Sequence, residues 1–539
     1  MTPPTVPGSQ LLAFGAMEAG VQFVTGYPGS PSTAIVEALL VLANEKIRIE
    51  WAINEKSAFD AAFGASLAGI RSLVCLKSVG LNVALDSLMV SNLAAGEGGF
   101  VLLVGDDPGG WGSQNEQDSR PLVAAAEVPL LEPTCPADAI RVMPQAFELS
   151  EEHHVPVVVR ITRALSAEQV PTTLGAPAVP VARGGIFRRQ PERFNVLPIH
   201  VVEFHHRLHA TLTRVRDTFE ASTLNGEKGP PSRWGVIAAG YTYHKLEQLL
   251  TLSSAPPVHM LHLGTLHPLP EKRITDFARS LDAMLVLEET APYIESQVQA
   301  LMQRAGLNLP IHGRGSGHLP TAGELFPEQI AQALATWLPG WSPPEIPESG
   351  RGMPSRRPLC DDCPYIPVAQ ALLSTMETHG GRDAFVITGE TGCMVRAQLP
   401  PWHLLDLKYG MGSSIGLAAG LGRAGISQRI VALSGDSALL HSGLGELIDA
   451  AQADIDLVVV VLANGTTALS GGQPHPSSAH DAYGRPRKAV DLAELARAAG
   501  VGMVRAIDPA EPGAAQAALE EALAYQGLAA VIADGPCPH

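Results

Sequence analysis

The sequence has no apolar run that approaches the ~20 residues a bilayer span needs, which excludes a membrane-spanning segment of that kind. Its N-terminus, MTPPTVPGSQ, has neither the basic region nor the apolar core of a secretory signal, so the expected compartment is cytoplasmic. Basic residues are in deficit: 37 Lys and Arg stand against 54 Asp and Glu, a net charge of −17. That balance disfavours phosphate backbones and anionic lipid surfaces, and it excludes nucleic acid and acidic membranes as expected partners. Cysteine is scarce, and six in 539 residues do not make a disulfide scaffold. What is there is a chain 46% hydrophobic and 17% charged, enough for three or four well-buried α/β domains at ~150 residues each.

Short apolar runs at Val21–Thr25, Ile47–Trp51, Leu73–Leu76, Phe100–Gly105 and Val155–Ile161 alternate with helix-period segments at Ala34–Ala43 and Glu55–Ala68. Such alternation predicts a parallel, doubly wound sheet in a first domain, 1–185. Breakers and charge at 186–232 predict linkers around one helix. A second α/β domain is expected at 233–335, with strands Gly235–Ala239, His259–His262 and Ala283–Leu287. Its Glu288, Glu289 and Glu295 are expected in a solvated turn, without a catalytic role. The Pro-rich stretch 336–358 reads as a linker, and a third βαβ domain fills 359–539.

The third domain carries the most informative stretch, GDSALLHSGLGELIDAAQADIDLVVVVLANGTTALSGGQPHP from Gly435 to Pro476. Asp436 and Asn464 each follow an apolar run, so both are expected at the carboxyl ends of parallel strands, where α/β sheets bind ligands. A carboxylate, an amide oxygen and a backbone carbonyl are hard ligands that suit Mg²⁺ with phosphate oxygens. Gly-Asp alone would be a plain turn; the whole stretch is specific. It resembles the diphosphate-binding motif of thiamine diphosphate enzymes, with Ser437 at its third position, a variant associated with the indolepyruvate ferredoxin oxidoreductase family. The resemblance implies that Gly435, Asp436, Ser437, Asn464 and Thr466 hold thiamine diphosphate, with Asp436, Asn464 and the Thr466 carbonyl on Mg²⁺. Gly410 opens GMGSSIGLAAGLGRAG, whose small residues let a helix or a cofactor approach closely. His441 and His475 are proton carriers, diphosphate donors or satisfied loop histidines.

In the first domain GYPGSPST is a strand-to-helix turn in which Ser32 or Thr33 can cap the next helix. Its hydroxyls and helix N–H groups can also face an anion. The turn resembles the substrate-carboxylate loop of 2-oxoacid ferredoxin oxidoreductases, with Ser30 where that family usually has Thr. Glu55 opens a helix, where the dipole alone favours an acid. The resemblance assigns it to the aminopyrimidine ring nitrogen N1′, which favours the imino tautomer that deprotonates the thiazolium. KSVGLNVALDSLM has Ser78 where the family often has His. GDDPGGWGSQNEQDSR is a surface loop or a functional loop at a strand end, with Arg120 or Asn115 expected near substrate or diphosphate.

Cys75 lies in a strand and is expected to be core. Cys360 and Cys363 form C-D-D-C-P, Cys393 follows a strand in GETGC, and Cys537 lies in DGPCPH. A C-x-x-C pair alone fits zinc, redox chemistry or chance; four thiolates fit a 4Fe–4S cluster or structural zinc. The arrangement resembles the cluster nearest the thiamine in 2-oxoacid ferredoxin oxidoreductases, which implies that Cys360, Cys363, Cys393 and Cys537 are its ligands. A ferredoxin-like segment with further cysteine runs is expected to be absent.

The resemblance implies an α/β chain of three doubly wound parallel-sheet domains, the large, thiamine-bearing subunit of a 2-oxoacid:acceptor oxidoreductase. The implied reaction is oxidative decarboxylation of a 2-oxo acid, aromatic by family expectation (indolepyruvate or phenylpyruvate), to an acyl-coenzyme A and carbon dioxide. Electrons would leave singly through the cluster to ferredoxin or another acceptor. A smaller β/γ-type subunit, coenzyme A and a dimer of large subunits complete the expectation. Two alternatives stand beside it: a non-oxidative thiamine diphosphate-dependent decarboxylase or lyase, and a non-catalytic scaffold subunit.

Overall fold

The computed structural model describes residues 4–43, 45–94, 96–177, 185–251, 257–343, 345–346, 349 and 357–539. Within the expected Pro-rich linker, positions 344, 347, 348 and 350–356 lie outside the described residues, as do 178–184 at the end of the expected first domain. The chain forms two compact units, Met1–Glu50 with Glu55–Met353, and Trp51–Asn54 with Pro354–His539. No helix among the described residues is long and apolar enough to cross a membrane.

Strands are numbered along the chain. They are β1 Thr5–Pro7, β2 Phe23–Gly26, β3 Arg48–Trp51, β4 Ser72–Lys77, β5 Phe100–Asp106, β6 Leu130–Leu131, β7 Val157–Thr162, β8 Gln169–Pro171, β9 Gly226–Lys228 and β10 Trp234–Ala239. Then come β11 His259–Leu263, β12 Thr265–His267, β13 Ala283–Leu287, β14 Ile311–His312, β15 Phe385–Gly389, β16 Leu407–Lys408, β17 Arg429–Gly435, β18 Leu457–Ala463, β19 Met503–Ile507 and β20 Leu528–Asp534. Among the described residues they form three mostly parallel sheets, ordered β12-β6-β7-β5-β4-β2-β3, β14-β13-β10-β11-β9 and β16-β15-β17-β18-β20-β19, and an antiparallel pair, β1-β8. Helices connect the parallel strands, as α/β crossovers require. The central strands β4, β5 and β18 are buried at every position, and their near-continuous apolar text reflects layers packed on both faces. The protein is therefore α/β, as its alternating pattern predicts.

In the first unit the stretch expected as a second domain gives β12 to the first sheet, where Thr265 pairs with Leu131 and His267 with Leu130. Glu288, Glu289 and Glu295, expected in a solvated turn, are 0%, 2% and 1% exposed. That expectation is corrected by their partners. Glu288 accepts from Arg120 Nη1 and from the N–H groups of Ile294 and Glu295, each at 2.8 Å. Glu289 accepts from Lys245 Nζ and the Leu325 N–H, each at 2.6 Å. Glu295 accepts from the N–H groups of Gly315 at 2.7 Å and Ser316 at 3.1 Å.

The cause is a plugged edge. Doubly wound sheets usually open a ligand crevice at their carboxyl ends. Just past β10, a Cβ on Gly240 would collide with the Glu132 carboxyl group from the first sheet. Arg160 of β7 joins Asp106 at 2.7 Å and Glu132 at 2.6 Å, and donates to the Glu289 carbonyl at 2.9 Å. This edge is filled by paired charges, the condition under which buried ions are tolerated.

Candidate active site

In the second unit β15, β17 and β18 are neighbours and parallel, and each delivers a polar residue at its carboxyl end: Glu390, Asp436 and Asn464. Asp436 is 3% exposed. Its Oδ1 accepts the Ser437 N–H at 2.7 Å, and its Oδ2 accepts those of Asn464 at 2.9 Å and Gly465 at 2.8 Å. Asn464 Oδ1 accepts the Thr466 N–H at 3.1 Å. One carboxylate thus orders the turn after β18. His475 is buried, and its Nε2 lies 3.4 Å from Asp436 Oδ2 without a hydrogen-bond partner. An orphaned imidazole nitrogen beside a carboxylate fits a site that takes a polar, phosphate-bearing ligand and its cation.

Sequence reasoning places Asp436, Asn464 and Thr466 here and misses Glu390. This carboxyl group is fully buried. It accepts from Ser434 Oγ at 2.5 Å, the Gly435 N–H at 3.3 Å and the Ser414 N–H at 3.4 Å. Burial pushes its pKa up to about 7, against the lowering effect of those three donors. Its signal in the sequence is the same as that of Asp436, a polar residue directly after an apolar strand. Gly410 sits in the turn before the helix Ser413–Arg423, where its carbonyl accepts from Ser413 Oγ at 2.7 Å. The small residues of that helix do allow close approach: the Gly416 N–H donates to Glu446 Oε2 at 2.7 Å, where any side chain would strike the carboxyl group. His441 is buried in a π-helical turn, Leu439–Gly443, with Nδ1 3.1 Å from Ser442 Oγ.

The four expected cysteine ligands, Cys360, Cys363, Cys393 and Cys537, are half-buried free thiols of the second unit. Burial pushes the Cys393 thiol up to about 11; Cys363, Cys537 and Cys360 add to the rise, and Arg396 opposes it. Arg396 Nη1 stands 3.6 Å from Cys360 Sγ. Among the described residues, however, no set of three or more His, Cys, Asp or Glu side chains lies at metal-holding spacing. An all-thiol donor set is the chemistry of iron–sulfur or zinc sites. Cys75 is buried in β4 as core, and burial raises its pKa.

In the first unit the carboxyl ends of β2, β4 and β5 carry the other expected residues. Ser30 is exposed on its turn. Ser32 and Thr33 close that turn on Gly29: Ser32 Oγ donates to the Gly29 carbonyl at 2.8 Å and Thr33 Oγ1 accepts its N–H at 2.7 Å. Glu55 begins the helix Glu55–Leu67 and is 6% exposed, its carboxyl group lying against Gly80. Asn115 is exposed at the tip of the loop after β5.

Arg120, expected near substrate or diphosphate, is 1% exposed: Asp118 at 2.6 Å and Glu288 at 2.8 Å hold it in the plugged edge, and it donates to the Ala291 carbonyl at 2.9 Å.

Residues 14–177 match the family described as "Pyruvate flavodoxin/ferredoxin oxidoreductase, thiamine diP-bdg", and residues 390–533 match "Thiamine pyrophosphate enzyme, C-terminal TPP binding domain". The indolepyruvate oxidoreductase subunit IorA of Methanothermobacter thermautotrophicus is 35% identical over 541 residues, 98% of this chain and 86% of that one. The chain belongs to this indolepyruvate ferredoxin oxidoreductase α-subunit family. The IorA subunit of Pyrococcus abyssi is 32% identical over 558 residues, 98% of this chain and 85% of that one. The 2-oxoglutarate synthase subunit KorB of Archaeoglobus fulgidus is 27% identical over 186 residues, 33% of this chain and 69% of that one. Family membership makes the protein a thiamine diphosphate-dependent 2-oxoacid:ferredoxin oxidoreductase subunit.

Proposed function

We propose that the chain is the thiamine-bearing subunit that oxidatively decarboxylates an aromatic 2-oxo acid of the indolepyruvate type to its acyl-coenzyme A. A 4Fe–4S cluster held by this chain would supply the one-electron relay to ferredoxin or a similar acceptor. The observation that best supports this reading is the turn Asn464–Thr466, ordered by the Asp436 carboxylate and tied through the Asn464 carbonyl to the N–H of Cys537 at 3.3 Å. The turn proposed to meet the phosphate and one of the four proposed cluster cysteines are thereby joined by a backbone hydrogen bond.

In this reading Asp436, Asn464 and the Thr466 carbonyl bind Mg²⁺, and Gly435, Ser437 and Gly410 border the diphosphate. Cys360, Cys363, Cys393 and Cys537 hold the cluster. Glu55 hydrogen-bonds the aminopyrimidine ring nitrogen, and its buried setting strengthens that bond. Bound thiamine diphosphate supplies a nucleophilic carbon and an electron sink for decarboxylation. Ser30 donates its hydroxyl to the substrate carboxylate. His441 moves a proton near the diphosphate. The chain works in the cytoplasm as a dimer of large subunits with a smaller partner subunit.

The test is acceptor reduction by the anaerobically assembled enzyme with indolepyruvate, phenylpyruvate, pyruvate and 2-oxoglutarate, with and without coenzyme A. The expected result is coenzyme A-dependent reduction with a preference for the aromatic acids. Carbon dioxide release without acceptor reduction would favour a non-oxidative decarboxylase.

A further inference from the structure

The loop between Asp106 and Arg120 is built with unusual care for a surface loop. Its base is closed by Asp106, which accepts the Ser119 N–H at 3.0 Å. Its middle folds around Asp107, whose Oδ2 accepts the Gly112 N–H at 2.8 Å and Ser113 Oγ–H at 2.6 Å. Its inner side rests on the start of the helix Ser78–Ser91: Lys77 Nζ donates to the Gly112 carbonyl at 2.9 Å, and Gln117 Nε2 to the Ser78 carbonyl at 3.1 Å. Lys77 in turn packs beside Gly29 of the Ser30 turn.

The outer side is gripped by the plugged layer of the same unit. Glu116 Oε1 accepts two N–H groups at once, from Gly109 at 2.8 Å within the loop and from Gly323 at 2.7 Å beyond β14. Trp111 Nε1 donates to Glu324 Oε2 at 3.0 Å, and the ring meets Phe326 edge-on with centroids 6.5 Å apart. Glu324 is itself fixed by Lys245 at 3.1 Å, which also binds Glu289 at 2.6 Å. The layer that carries no expected reacting group is thereby continuous, through buried charge, with the loop beside Ser30.

We propose that Glu116 is a positioning residue for the 2-oxo acid: by joining the N–H groups of Gly109 and Gly323 it fixes the 107–119 loop, and the second α/β layer thereby sets substrate affinity. This rests on the expectation, carried by the family resemblance, that Asn115 at the exposed tip of this loop lies near the substrate. A small displacement of a positioning element is enough to weaken binding by an order of magnitude. The role is one of affinity, because Glu116 lies in the loop's anchorage and holds no reacting atom.

The test compares Glu116→Ala and Glu116→Gln in the assembled enzyme. It reads amide hydrogen exchange over 107–113, KM and kcat for the 2-oxo acid, thiamine diphosphate affinity and Tm. For the alanine variant we expect faster exchange, KM raised about tenfold, kcat within about twofold, unchanged cofactor affinity and Tm within about 2 °C. Glutamine keeps an acceptor oxygen and restores most of KM. Unchanged exchange in the alanine variant overturns the anchoring itself. Faster exchange with an unchanged KM shows that the loop does not border the substrate, and removes both that reading and the role. A fallen Tm with joint loss of kcat and cofactor affinity reduces Glu116 to a structural residue and overturns the proposal.

Discussion

The backbone N–H of Cys537 donates to the carbonyl of Asn464 at 3.3 Å. The other groups of Asn464 face the opposite way: its N–H donates to Asp436 Oδ2 at 2.9 Å, and its Oδ1 accepts the Thr466 N–H at 3.1 Å. Tyr365 supports the same strand end, its hydroxyl donating to the Leu462 carbonyl at 2.8 Å. Burial, with Asp436 and Cys393 adding to it, raises the Tyr365 phenol, so it stays a neutral donor at this spot. The Asp436 carboxylate and the Cys537 backbone are thus both bonded to the strand end at Asn464.

Asp436→Asn places an amide N–H₂ opposite the N–H groups of Asn464 and Gly465, which now meet a donor. The turn should lose ~2 kcal/mol of local stability. Affinity for thiamine diphosphate with Mg²⁺ should fall about 10- to 100-fold, since the proposed site loses one of its ligands as well. Fluorescence titration of cofactor-free protein measures it. A loss smaller than about threefold would remove Asp436 from the proposed metal site.

Anaerobically purified protein should carry about four irons with acid-labile sulfide and give a reduced-cluster EPR signal. Cys393→Ala should abolish that signal. Cys75→Ala should leave it intact and cost ~1 kcal/mol as an ordinary core truncation. Zinc in place of iron would contradict the cluster assignment.

Most strands, the α/β class and the polar residues at strand ends follow from local pattern, because parallel core strands are apolar throughout. Glu288 and Glu289 do not follow from it. Their text is identical to that of an acidic surface turn, and only the arrival of Arg120 and Lys245 from distant segments makes burial tolerable. The same holds for the burial of Arg120, since NEQDSR gives no sign that Glu288, 168 residues away, takes its guanidinium. Glu390 was within reach, since GETGC ends an apolar strand as GDS does. The joining of β12 to β6 was not, because two-residue β6 carries no periodic signal.

Glu390 makes stability depend on pH. Its folded pKa of about 7 lies above the ordinary 4.5, so the folded state binds the proton more tightly than the unfolded state. The stability it contributes is complete below pH ~4.5 and is lost as pH rises through ~7, a difference of about 3 kcal/mol. Urea unfolding of cofactor-free protein across that range should show a decline that Glu390→Gln flattens. An identical slope in the two proteins would refute the assignment.

Arg120→Met should destabilise the first unit. It leaves Asp118 and Glu288 buried without their cation, which costs ~3–5 kcal/mol. In urea the first unit should unfold earlier than in the unaltered protein. An unshifted transition would mean that Asp118 and Glu288 keep their places without the guanidinium.

The sharpest separation of stability from chemistry is at Gly80. It lies inside the helix Ser78–Ser91, where alanine is favoured over glycine by ~1 kcal/mol. Propensity alone therefore predicts that Gly80→Ala stabilises the protein. A Cβ here would sit 2.5 Å from Glu55 Oε1 and 2.6 Å from its Cγ, so the glutamate must move. If Glu55 holds the aminopyrimidine, a shift of this kind lengthens its hydrogen bond, and the effect should fall on cofactor activation. Expected are an unchanged or raised Tm, thiamine diphosphate still bound through the diphosphate grip, and exchange of the bound cofactor's C2 proton slowed about 100-fold. NMR of that proton reads the step directly. Undiminished exchange in Gly80→Ala would mean that Glu55 tolerates displacement, and would leave it as a first-turn acid that serves the helix dipole.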